Sequence, residues 1–492
     1  MAVTGAQNSF MTFLNRRQFI RRTAVATTTG VLPYSAWSTP TGANEDIRMA
    51  VVGIRSKGRT HIKGFHEQTK GSRVVAVVDV DQTFLDRETA AFAERQEKID
   101  TYRDVRQVLE RDDIDAIVIA TPNHTHSLIA IWACQAGKHV YVEKPVSHNV
   151  WEGRKLVEAA RKYKRIVQTG TQARSDQGIM EAVEWIKSGN LGNVTHARGL
   201  CYKRRPSIGK VAAPTQLPDT IDYDLWCGPA QKKPLMRSRL HYDWHWVWDT
   251  GNGDLGNQGI HQMDIARWFT PHQTIAPRVM SIGGRVGYVD DGETANTQLI
   301  YHDYGPKSIP IIFEVRGHPM KKDMEAMPNY KGVRIGNVIH CEGGYFNGGF
   351  AYDNDGNKVK QFAGDGGAKH RQNFIDAIRS GSPAVLNADI LEGHISSALC
   401  HTANISHRLG SQLPPEDIRE RIKDNASASE TLDRMLEHLS DNEIKANEEK
   451  LTLGPWLEMD GHNETFIGEW ANKANPLLTR EYRTPYIIPE TI

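Results

Sequence analysis

The sequence predicts an α/β protein with two domains: an N-terminal Rossmann dinucleotide-binding domain and a C-terminal α+β domain with an open, mostly antiparallel sheet. Three observations predict this fold. Short apolar strands alternate with helical segments over residues 47–169, a pattern typical of a parallel doubly wound sheet. A glycine loop begins at Gly53, directly after the first strand. After Gly170 strand-like runs cluster instead, and Asn354-Asp-Gly-Asn357 indicates a hairpin turn.

The predicted elements of the first domain follow from the alternation of apolar runs with helical periodicity. Its predicted strands are Ile47–Val52, Arg73–Val78, Ala116–Ala120, His139–Val142 and Ile166–Thr169. Its predicted helices are Thr60–Thr69, Gln82–Arg95, Val105–Arg111, Ser127–Ala136 and Trp151–Lys162.

The second domain is predicted over residues 170–410 and is expected to carry the substrate and oligomerisation surfaces. Its predicted strands are Val194–Tyr202, Arg278–Val286, Ala295–His302, Ser308–Arg316 and Asn337–Glu342, and its predicted helices are Ile179–Ser188, Lys369–Arg379 and Leu391–Leu409. Arg204–Leu240 is predicted to be a long loop. Residues 411–492 form a charged C-terminal extension whose role the pattern leaves open.

Charge and composition narrow the class of function. The 492 residues carry 60 basic and 59 acidic side chains, so no net positive field favours nucleic acid as a partner. No stretch of about 20 apolar residues is present, which predicts no stable membrane insertion. The five cysteines form no C-x-x-C pair, so a zinc-thiolate site is not expected and no metal ligands are assigned.

Residues 1–38 are interpreted as a twin-arginine export signal, followed by a linker over 39–46. Asn15-Arg-Arg-Gln-Phe-Ile-Arg21 contains the paired arginines, and Ala36-Trp-Ser38 offers a small-x-small cleavage site. The alternative interpretation is a disordered basic tail. Export predicts a protein of the periplasm or another compartment outside the cytoplasm.

The loop after the first strand predicts a nucleotide site. Gly53 and Gly58 stand where a dinucleotide fingerprint belongs, but Arg55 replaces its middle glycine and is followed by Ser56. Asp79 ends the second strand, where a carboxylate accepts hydrogen bonds from ribose hydroxyls and repels a 2′-phosphate. The expected cofactor is therefore NAD, with NADP less favoured. The alternative is an α/β domain that binds no nucleotide.

Two more strand ends supply polar residues to the same sheet edge, where ligands bind in open α/β sheets. One strand continues into Thr121-Pro122-Asn123-His-Thr-His126, and another ends at Glu143-Lys144-Pro145. Pro145 cannot continue the ladder, so the strand stops with the Lys144 amine at its carboxyl end. The alternative interpretation of Lys144 is a surface lysine before a turn.

As a set, these motifs resemble the glucose–fructose oxidoreductase / inositol dehydrogenase / rhizopine-catabolism (Gfo/Idh/MocA) family. The matching segments are the glycine loop 53–58, Asp79, Thr121–His124, Glu143–Pro145, Gly253–Asp264 and His370–Arg379, within residues 47–410. The resemblance implies an NAD(P)-binding Rossmann domain and a second domain whose open sheet commonly packs against a partner subunit. It therefore implies a homo-oligomer, and a carbohydrate or polyol whose hydroxyl is oxidised or reduced.

The resemblance also implies catalytic roles. Lys144 resembles the family's active-site lysine, and His261 resembles its catalytic histidine. The family usually has an aspartate four residues before that histidine, whereas this chain has Asn257. Asn257 can form hydrogen bonds but supplies no charge to orient and stabilise the imidazole. Asp264 is a candidate substitute, and its alternative role is a surface carboxylate or helix cap.

Further candidates for substrate contact are Gln172 and Arg174, which follow the last strand of the first sheet, together with Trp244, His245 and Asp264. Arg174 is expected to hold a sugar hydroxyl or acid group, or else to form a surface ion pair. The aromatic segment 241–248 is expected to be extended and to stack on sugar rings. The alternative roles of this segment are plain core packing and, for His241 and His245, metal binding.

The function predicted from the sequence is an NAD-dependent oxidoreductase that acts on a sugar or polyol hydroxyl. Free nicotinamide cofactor is scarce outside the cytoplasm, so an exported enzyme is expected to retain its cofactor. One alternative is an NAD-dependent glycoside hydrolase or lyase that works by transient oxidation and elimination. The second is a sugar-binding protein without catalysis.

Overall fold

A computed structural model describes residues 46–492, and the predicted twin-arginine signal lies outside the described residues. The first sheet contains six strands: β1 (Ile47–Val52), β2 (Ser72–Val78), β3 (Asp100–Tyr102), β4 (Ala116–Ile119), β5 (His139–Val142) and β6 (Val167–Thr169). Its helices are α1 (Lys57–Lys63), α2 (Gln82–Glu94), α3 (Val105–Leu109), α4 (His126–Gln135) and α5 (Val150–Lys162).

The first sheet is a parallel Rossmann sheet in the order β3-β2-β1-β4-β5-β6. Its central strands β1, β4 and β5 are buried on both faces, as expected when helices cover both sides of a parallel sheet. The order reverses between β1 and β4, and ligands bind at the carboxyl ends of the strands beside such a reversal. The predicted N-terminal fold class is confirmed.

The second sheet contains twelve strands and is antiparallel except where β7 pairs with β10. Its strands are β7 (Val194–Tyr202), β8 (Arg278–Gly284), β9 (Thr297–Asp303), β10 (Ile311–Arg316), β11 (Ile335–Cys341), β12 (Gly344–Asn347), β13 (Phe350–Asp353), β14 (Lys358–Gln361), β15 (Ser411–Leu413), β16 (Leu451–Leu453), β17 (Leu457–Asp460) and β18 (Thr465–Ile467). The predicted, mostly antiparallel C-terminal domain is confirmed.

The remaining helices are α6 (Gln177–Lys187), α7 (Tyr223–Cys227), α8 (Leu240–Asp243), α9 (Ile260–Trp268), α10 (His370–Ser380), α11 (Ile390–Arg408), α12 (Pro415–Ile422), α13 (Ala426–Asp441), α14 (Ala446–Glu449) and α15 (Ala471–Ala474). Helices α9 and α11 pack against one face of the second sheet, in a core that includes Met263, Ile300, Phe313 and Leu399. Helix α11 also packs against α5, so it lies between the two sheets.

The C-terminal extension belongs to the second domain's fold. Strands β15 to β18 add to the edge of the sheet, and helices α12 and α13 cover its other face. There Leu432 and Met435 pack in one apolar cluster with Ile282 and Ile312 of the sheet. The face that the resemblance assigns to a partner subunit is thus covered in part by the chain itself, and homo-oligomerisation stays a prediction.

A buried cluster of charges fixes α13 to this face. Glu314 on β10 is fully buried and accepts hydrogen bonds from Arg198 at 2.6 Å, Arg434 at 2.7 Å and Tyr202 at 2.6 Å. Burial favours the neutral form, but the charges of Arg316, Arg198 and Arg434 hold the pKa of Glu314 at about 2. A buried carboxylate among three guanidinium groups is stable only while its partners remain in place.

Two further properties concern the whole of the described chain. Within residues 46–492, none of the helices combines the length and the hydrophobicity that crossing a bilayer would take. The five cysteines are buried and free of disulfide bonds.

Replacing Glu314 with glutamine should destabilise the protein by about 3–5 kcal/mol, because the substitution leaves buried guanidinium groups without a counter-charge. The midpoint of urea unfolding at pH 7 measures this loss. In the wild type, ionised Glu314 contributes fully to the free energy of unfolding above the ordinary pKa of a glutamate carboxyl. This contribution is lost as the pH falls toward about 2. Asp433→Asn removes only an exposed partner of Arg419 and should leave the midpoint near the wild-type value. Equal midpoints for both variants would contradict the prediction.

Candidate active site

A cavity of about 350 Å³ lies at the carboxyl edge of the first sheet, beside the reversal between β1 and β4. Ten of the predicted cofactor residues line it: Gly53, Arg55, Ser56, Asp79, Thr121, Pro122, Asn123, His126, Glu143 and Lys144. Gly58, the remaining one, is buried beneath the turn. The structure therefore brings together the nucleotide motifs that the sequence places at separate strand ends.

The two glycines of the turn are required by close backbone packing. Gly53 has φ +81°, and a Cβ atom there would lie 2.7 Å from the backbone nitrogen of Thr121. A Cβ atom on Gly58 would lie 1.9 Å from the carbonyl oxygen of Gly53. The turn, the start of α1 and β4 can approach one another only without side chains at these two positions.

Arg55 points away from the turn, as its substitution for glycine requires. Its side chain is exposed, and Nη1 donates to the carbonyl oxygen of His241 at 3.2 Å. The imidazole of His241 contacts Asp81 at the end of β2, with 3.0 Å between Nε2 and Oδ2. These two contacts hold segment 240–248 against the opening of the cavity. Sequence reasoning did not assign His241 to this site.

Asp79 connects the end of β2 to the glycine turn. Its Oδ2 accepts from the Ile54 backbone nitrogen at 2.8 Å, and its Oδ1 accepts from the Asp81 backbone nitrogen at 3.0 Å. Burial raises the pKa of Asp79, whereas these two backbone donors oppose the shift. Each carboxylate oxygen retains a further acceptor position for a ligand in the cavity.

Asn123 and His126 hold the loops of the site rather than present free polar groups. The Asn123 amide donates to Asn252 Oδ1 at 3.1 Å. The ring nitrogens of His126 each lie 2.7 Å from a carbonyl oxygen, one of Thr121 and one of Pro145. His126 thus fixes the loop after β4 to the loop after β5.

Glu143 is the centre of a buried hydrogen-bond network. Its Oε1 accepts from His61 Nε2 at 2.8 Å and from Gln172 Nε2 at 3.2 Å, and Lys57 Nζ lies 3.5 Å away. Burial raises the pKa of Glu143, but His61 and the charge of Lys57 hold it well below its ordinary value. Gln172, predicted to contact substrate, instead supports Glu143 and also donates to the Tyr141 hydroxyl.

Lys144 bridges the two domains. Its Nζ donates to the backbone carbonyl oxygen of Asn257 at 2.8 Å. Asn257 lies in a π-helical turn, Leu255–Gly259, that leads directly into α9; such turns often occur at functional sites. Burial lowers the pKa of Lys144, the charges of Lys57 and Lys203 lower it further, and Glu143 opposes them.

His261 lies one helical turn after Asn257, in the first turn of α9. Burial and then the charge of Lys144 lower the pKa of His261 to about 3, so its imidazole is neutral. Within residues 46–492 it forms no hydrogen bond, and it lies beside the residues that line the nucleotide cavity rather than among them. The structure thus places His261 within electrostatic reach of Lys144, with its ring nitrogens free for a ligand.

Trp244 and His245 line the same cavity as Lys144 and Asn257. Their rings stack with 3.6 Å between centroids, and burial followed by the charge of Lys144 lowers the pKa of His245 to about 3. The extended conformation expected for segment 241–248 is wrong, because residues 240–246 are helical. The aromatic and polar residues alternate here because this short helical segment, residues 240–246, packs against neighbours on several of its sides.

Arg174 and Asp264 do not form a substrate site, which corrects the expectation for both. The Arg174 guanidinium is buried and pairs with the Asp264 carboxylate through two bonds of 2.9 and 2.8 Å. Asp264 also accepts from Ser396 at 2.7 Å, so its oxygens face Arg174 and α11 rather than His261. This pair joins α9 to the end of the first sheet. Asp264 therefore does not replace the missing aspartate at Asn257.

Two segments outside the Rossmann domain close the cavity near Asp79, and sequence motifs identified neither. Leu225 and Trp226 lie on α7, which interrupts the predicted long loop, and Gly228 follows that helix; Tyr486 comes from the C-terminal extension. The Tyr486 hydroxyl donates to Asp224 Oδ2 at 3.1 Å. No glycine pattern or strand end precedes Tyr486, so only the packed structure reveals it.

Comparison with known proteins agrees with this geometry. The oxidoreductase family model for an NAD-binding Rossmann fold matches residues 47–171, and the model for an oxidoreductase C-terminal alpha/beta domain matches residues 184–328. Together these matches span more than half of the chain. The chain belongs to the Gfo/Idh/MocA oxidoreductase family.

Several Gfo/Idh/MocA relatives are similar to this chain. An inositol 2-dehydrogenase/D-chiro-inositol 3-dehydrogenase from Halalkalibacterium halodurans is 30% identical over 33% of this chain and 46% of its own length. An inositol 2-dehydrogenase from Klebsiella pneumoniae is 30% identical over 33% of this chain and 48% of its own length. The chain thus spans about half the length of these curated relatives.

Two solved structures of dehydrogenases share the fold. The WlbA dehydrogenase from Bordetella pertussis, in complex with NADH and UDP-GlcNAcA, has a TM-score of 0.55 at 18% identity and covers 73% of this chain and 96% of its own. The myo-inositol 2-dehydrogenase from Lactobacillus plantarum has a TM-score of 0.52 at 16% identity, with coverage of 73% and 96%.

Gly58→Ala should weaken NAD binding about tenfold or more, because the added Cβ forces the turn away from α1 and overpacking of this kind costs about 1–3 kcal/mol. Isothermal titration with NAD measures the change. Gly284→Ala is the matched control, since its Cβ would only reach ordinary contact with Val286 at 3.4 Å. Wild-type affinity in Gly58→Ala would contradict a dinucleotide site at this turn.

Proposed function

We propose that this protein is an NAD-dependent oxidoreductase that oxidises a hydroxyl of a sugar or polyol and keeps its cofactor bound between turnovers. The observation that carries the proposal is the meeting of Lys144 with Asn257 at the nucleotide cavity, one helical turn before His261. Relatives named as inositol dehydrogenases support a substrate rich in hydroxyl groups.

The residues present fit a nicotinamide dinucleotide. The cavity runs along the sheet edge from the end of β2 to the end of β5, and Gly53 of the glycine turn, where a dinucleotide fold binds pyrophosphate, is part of its lining. Asp79 offers a carboxylate to ribose hydroxyls and disfavours a 2′-phosphate, which supports NAD over NADP. The bound nicotinamide ring supplies the hydride acceptor.

Lys144 and His261 have different roles at the reacting hydroxyl. A catalytic base works best when its pKa lies near the working pH. Burial and neighbouring lysines lower the pKa of Lys144 from its high ordinary value, whereas the pKa of His261, at about 3, makes it a weak base. Lys144 therefore accepts the hydroxyl proton, and neutral His261 hydrogen-bonds the same oxygen. The charge of Lys144 is one of the causes that lower the pKa of His261.

Cofactor retention is supported by the C-terminal segment. Arg483 donates to Asp224 Oδ1 at 2.7 Å and to the Asp224 carbonyl oxygen at 2.7 Å, which fixes the segment to the long loop. Tyr486 from the same segment lines the cavity beside Trp132. We infer that this contact slows the release of a dinucleotide bound in the cavity. Export by the twin-arginine route is part of the proposal, since retention lets the enzyme work where free cofactor is scarce.

Lys144→Ala should lower hydride transfer by about 100-fold or more while NAD binding persists, because the amine acts on the reacting oxygen. Absorbance of the NADH band with myo-inositol and a panel of sugars measures transfer, and calorimetry measures NAD binding. The matched variant is Lys144→Arg, which keeps the charge but cannot lose its proton. Undiminished turnover in either variant would remove Lys144 from the proposed chemistry.

The pH profile provides a second readout for the same variants. The neutral amine of Lys144 becomes more abundant as pH rises, so wild-type kcat/KM should rise with pH until it passes the lowered pKa. His261 is protonated only near pH 3 and should cause no break near 6.5. Release of an aglycone without net change in the NADH band would support the glycosidase instead. Tight sugar binding without spectral response would support the binding protein.

Arg483→Ala should speed NAD release, because the C-terminal segment loses its attachment to Asp224. The fraction of protein that keeps NAD through gel filtration measures retention, and we expect it to fall several-fold. The matched control is Arg419→Ala, which removes an exposed ion pair on α12. Equal retention in both variants would contradict a role for the segment in holding the cofactor.

A further inference from the structure

A second cavity, of about 230 Å³, lies apart from the nucleotide cavity and receives residues from four segments. These segments are the loop after β5, the loop 247–253, helix α11 and the C-terminal residues 476–480. Their polar side chains in the cavity include His148, Asp249, Asn252, His401, Arg408 and Arg480. The two cavities are neighbours through Asn252, which accepts from Asn123 and donates to the carbonyl oxygen of His148.

The second cavity contains two guanidinium groups, and the carboxylates whose charges act on Arg408 are those of Glu293 and Asp249. Within the described part of the chain, neither Arg408 nor Arg480 forms an ion pair, and the Arg408 guanidinium lies over the Trp248 ring at 5.3 Å. Asp249 is the acidic residue among the described lining, and its carboxylate pairs with Lys233 at 2.5 Å.

The charge of the Glu152 carboxylate acts on Arg480, but the oxygens of this carboxylate already accept hydrogen bonds from other groups. They accept from the His148 backbone nitrogen, from Asn149 Nδ2 at 2.9 Å and from the Tyr482 hydroxyl at 3.1 Å. Arg480 is therefore left with capacity to pair with a further anion.

One buried hydrogen-bond donor beside this cavity, Arg480 Nε, has no acceptor. Arg480 Nη1 lies 3.3 Å from His148 Nδ1, and because a guanidinium can only donate, Nδ1 is the acceptor. Burial holds His148 neutral, so its proton lies on Nε2, where the Trp248 carbonyl oxygen is the nearby acceptor. An unpaired buried donor is costly, and it indicates a missing acceptor.

We propose that this second cavity binds a small oxyanion, either phosphate or the carboxylate group of a sugar acid. The fork of a guanidinium matches the oxygens of either anion and forms charge-assisted hydrogen bonds with them. The anion's oxygens accept from the Arg480 guanidinium, and Arg408 supplies the second positive charge. His401, whose Nδ1 is buried without a partner, adds a further polar contact on the α11 side.

Isothermal titration with inorganic phosphate and, separately, with sodium glucuronate tests the proposal at constant ionic strength. The protein is saturated with NAD beforehand, so that phosphate cannot enter the nucleotide cavity. We expect saturable binding of one anion per chain. Binding of phosphate alone identifies a free phosphate site, and binding of glucuronate alone identifies a sugar-acid site.

Arg408→Gln and Arg480→Gln should each weaken this binding about tenfold or more, since each removes a charge-assisted contact. Arg419→Gln on α12 is the matched control and should bind the anion as the wild type does. Retained NAD affinity in every variant confirms that it is folded, because neither Arg408 nor Arg480 lines the nucleotide cavity. Absence of saturable binding in the wild type, or wild-type affinity in both cavity variants, overturns the proposal.

Discussion

One hydrogen bond, from the Lys144 amine to the Asn257 carbonyl oxygen, connects the chemistry of the two domains. The strand β5 places the amine at the sheet edge, and the π-helical turn places the carbonyl directly before α9. His261 follows in the first turn of that helix. A shift of one domain relative to the other would therefore move the Asn257 carbonyl and the His261 imidazole together, relative to the Lys144 amine. The buried Arg174–Asp264 pair reinforces the same junction from the next turn of α9.

The parts of the fold that could be predicted are those determined by local pattern. Pro145 ends its strand regardless of what packs against the sheet. Parallel strands place their carboxyl ends at one edge of a sheet. For these two reasons the nucleotide residues could be found from the sequence. The partners of Arg174 and Gln172 depend on side chains distant in the sequence, which no periodicity encodes. The helical segment at 240–246 was missed because a short helix with aromatic residues on several sides resembles an alternating strand.

The C-terminal extension changes the interpretation of the second domain. Its helices supply the apolar residues that cover one face of the sheet, and Arg434 enters the charge cluster around Glu314. A sheet covered in this way has less apolar surface to bury against a second copy of the chain. The sequence did not predict that the extension covers the sheet, because its charged residues dominate its composition and its apolar residues occupy only one face of each helix.

Tyr486 and Leu225 line the nucleotide cavity together with the Rossmann strand ends, although both follow those strands in the chain. The strands of the first sheet are therefore synthesised before either residue can pack beside them. The full wall of the cavity depends on contacts between distant parts of the chain, so it is a product of tertiary folding rather than of the Rossmann sheet alone.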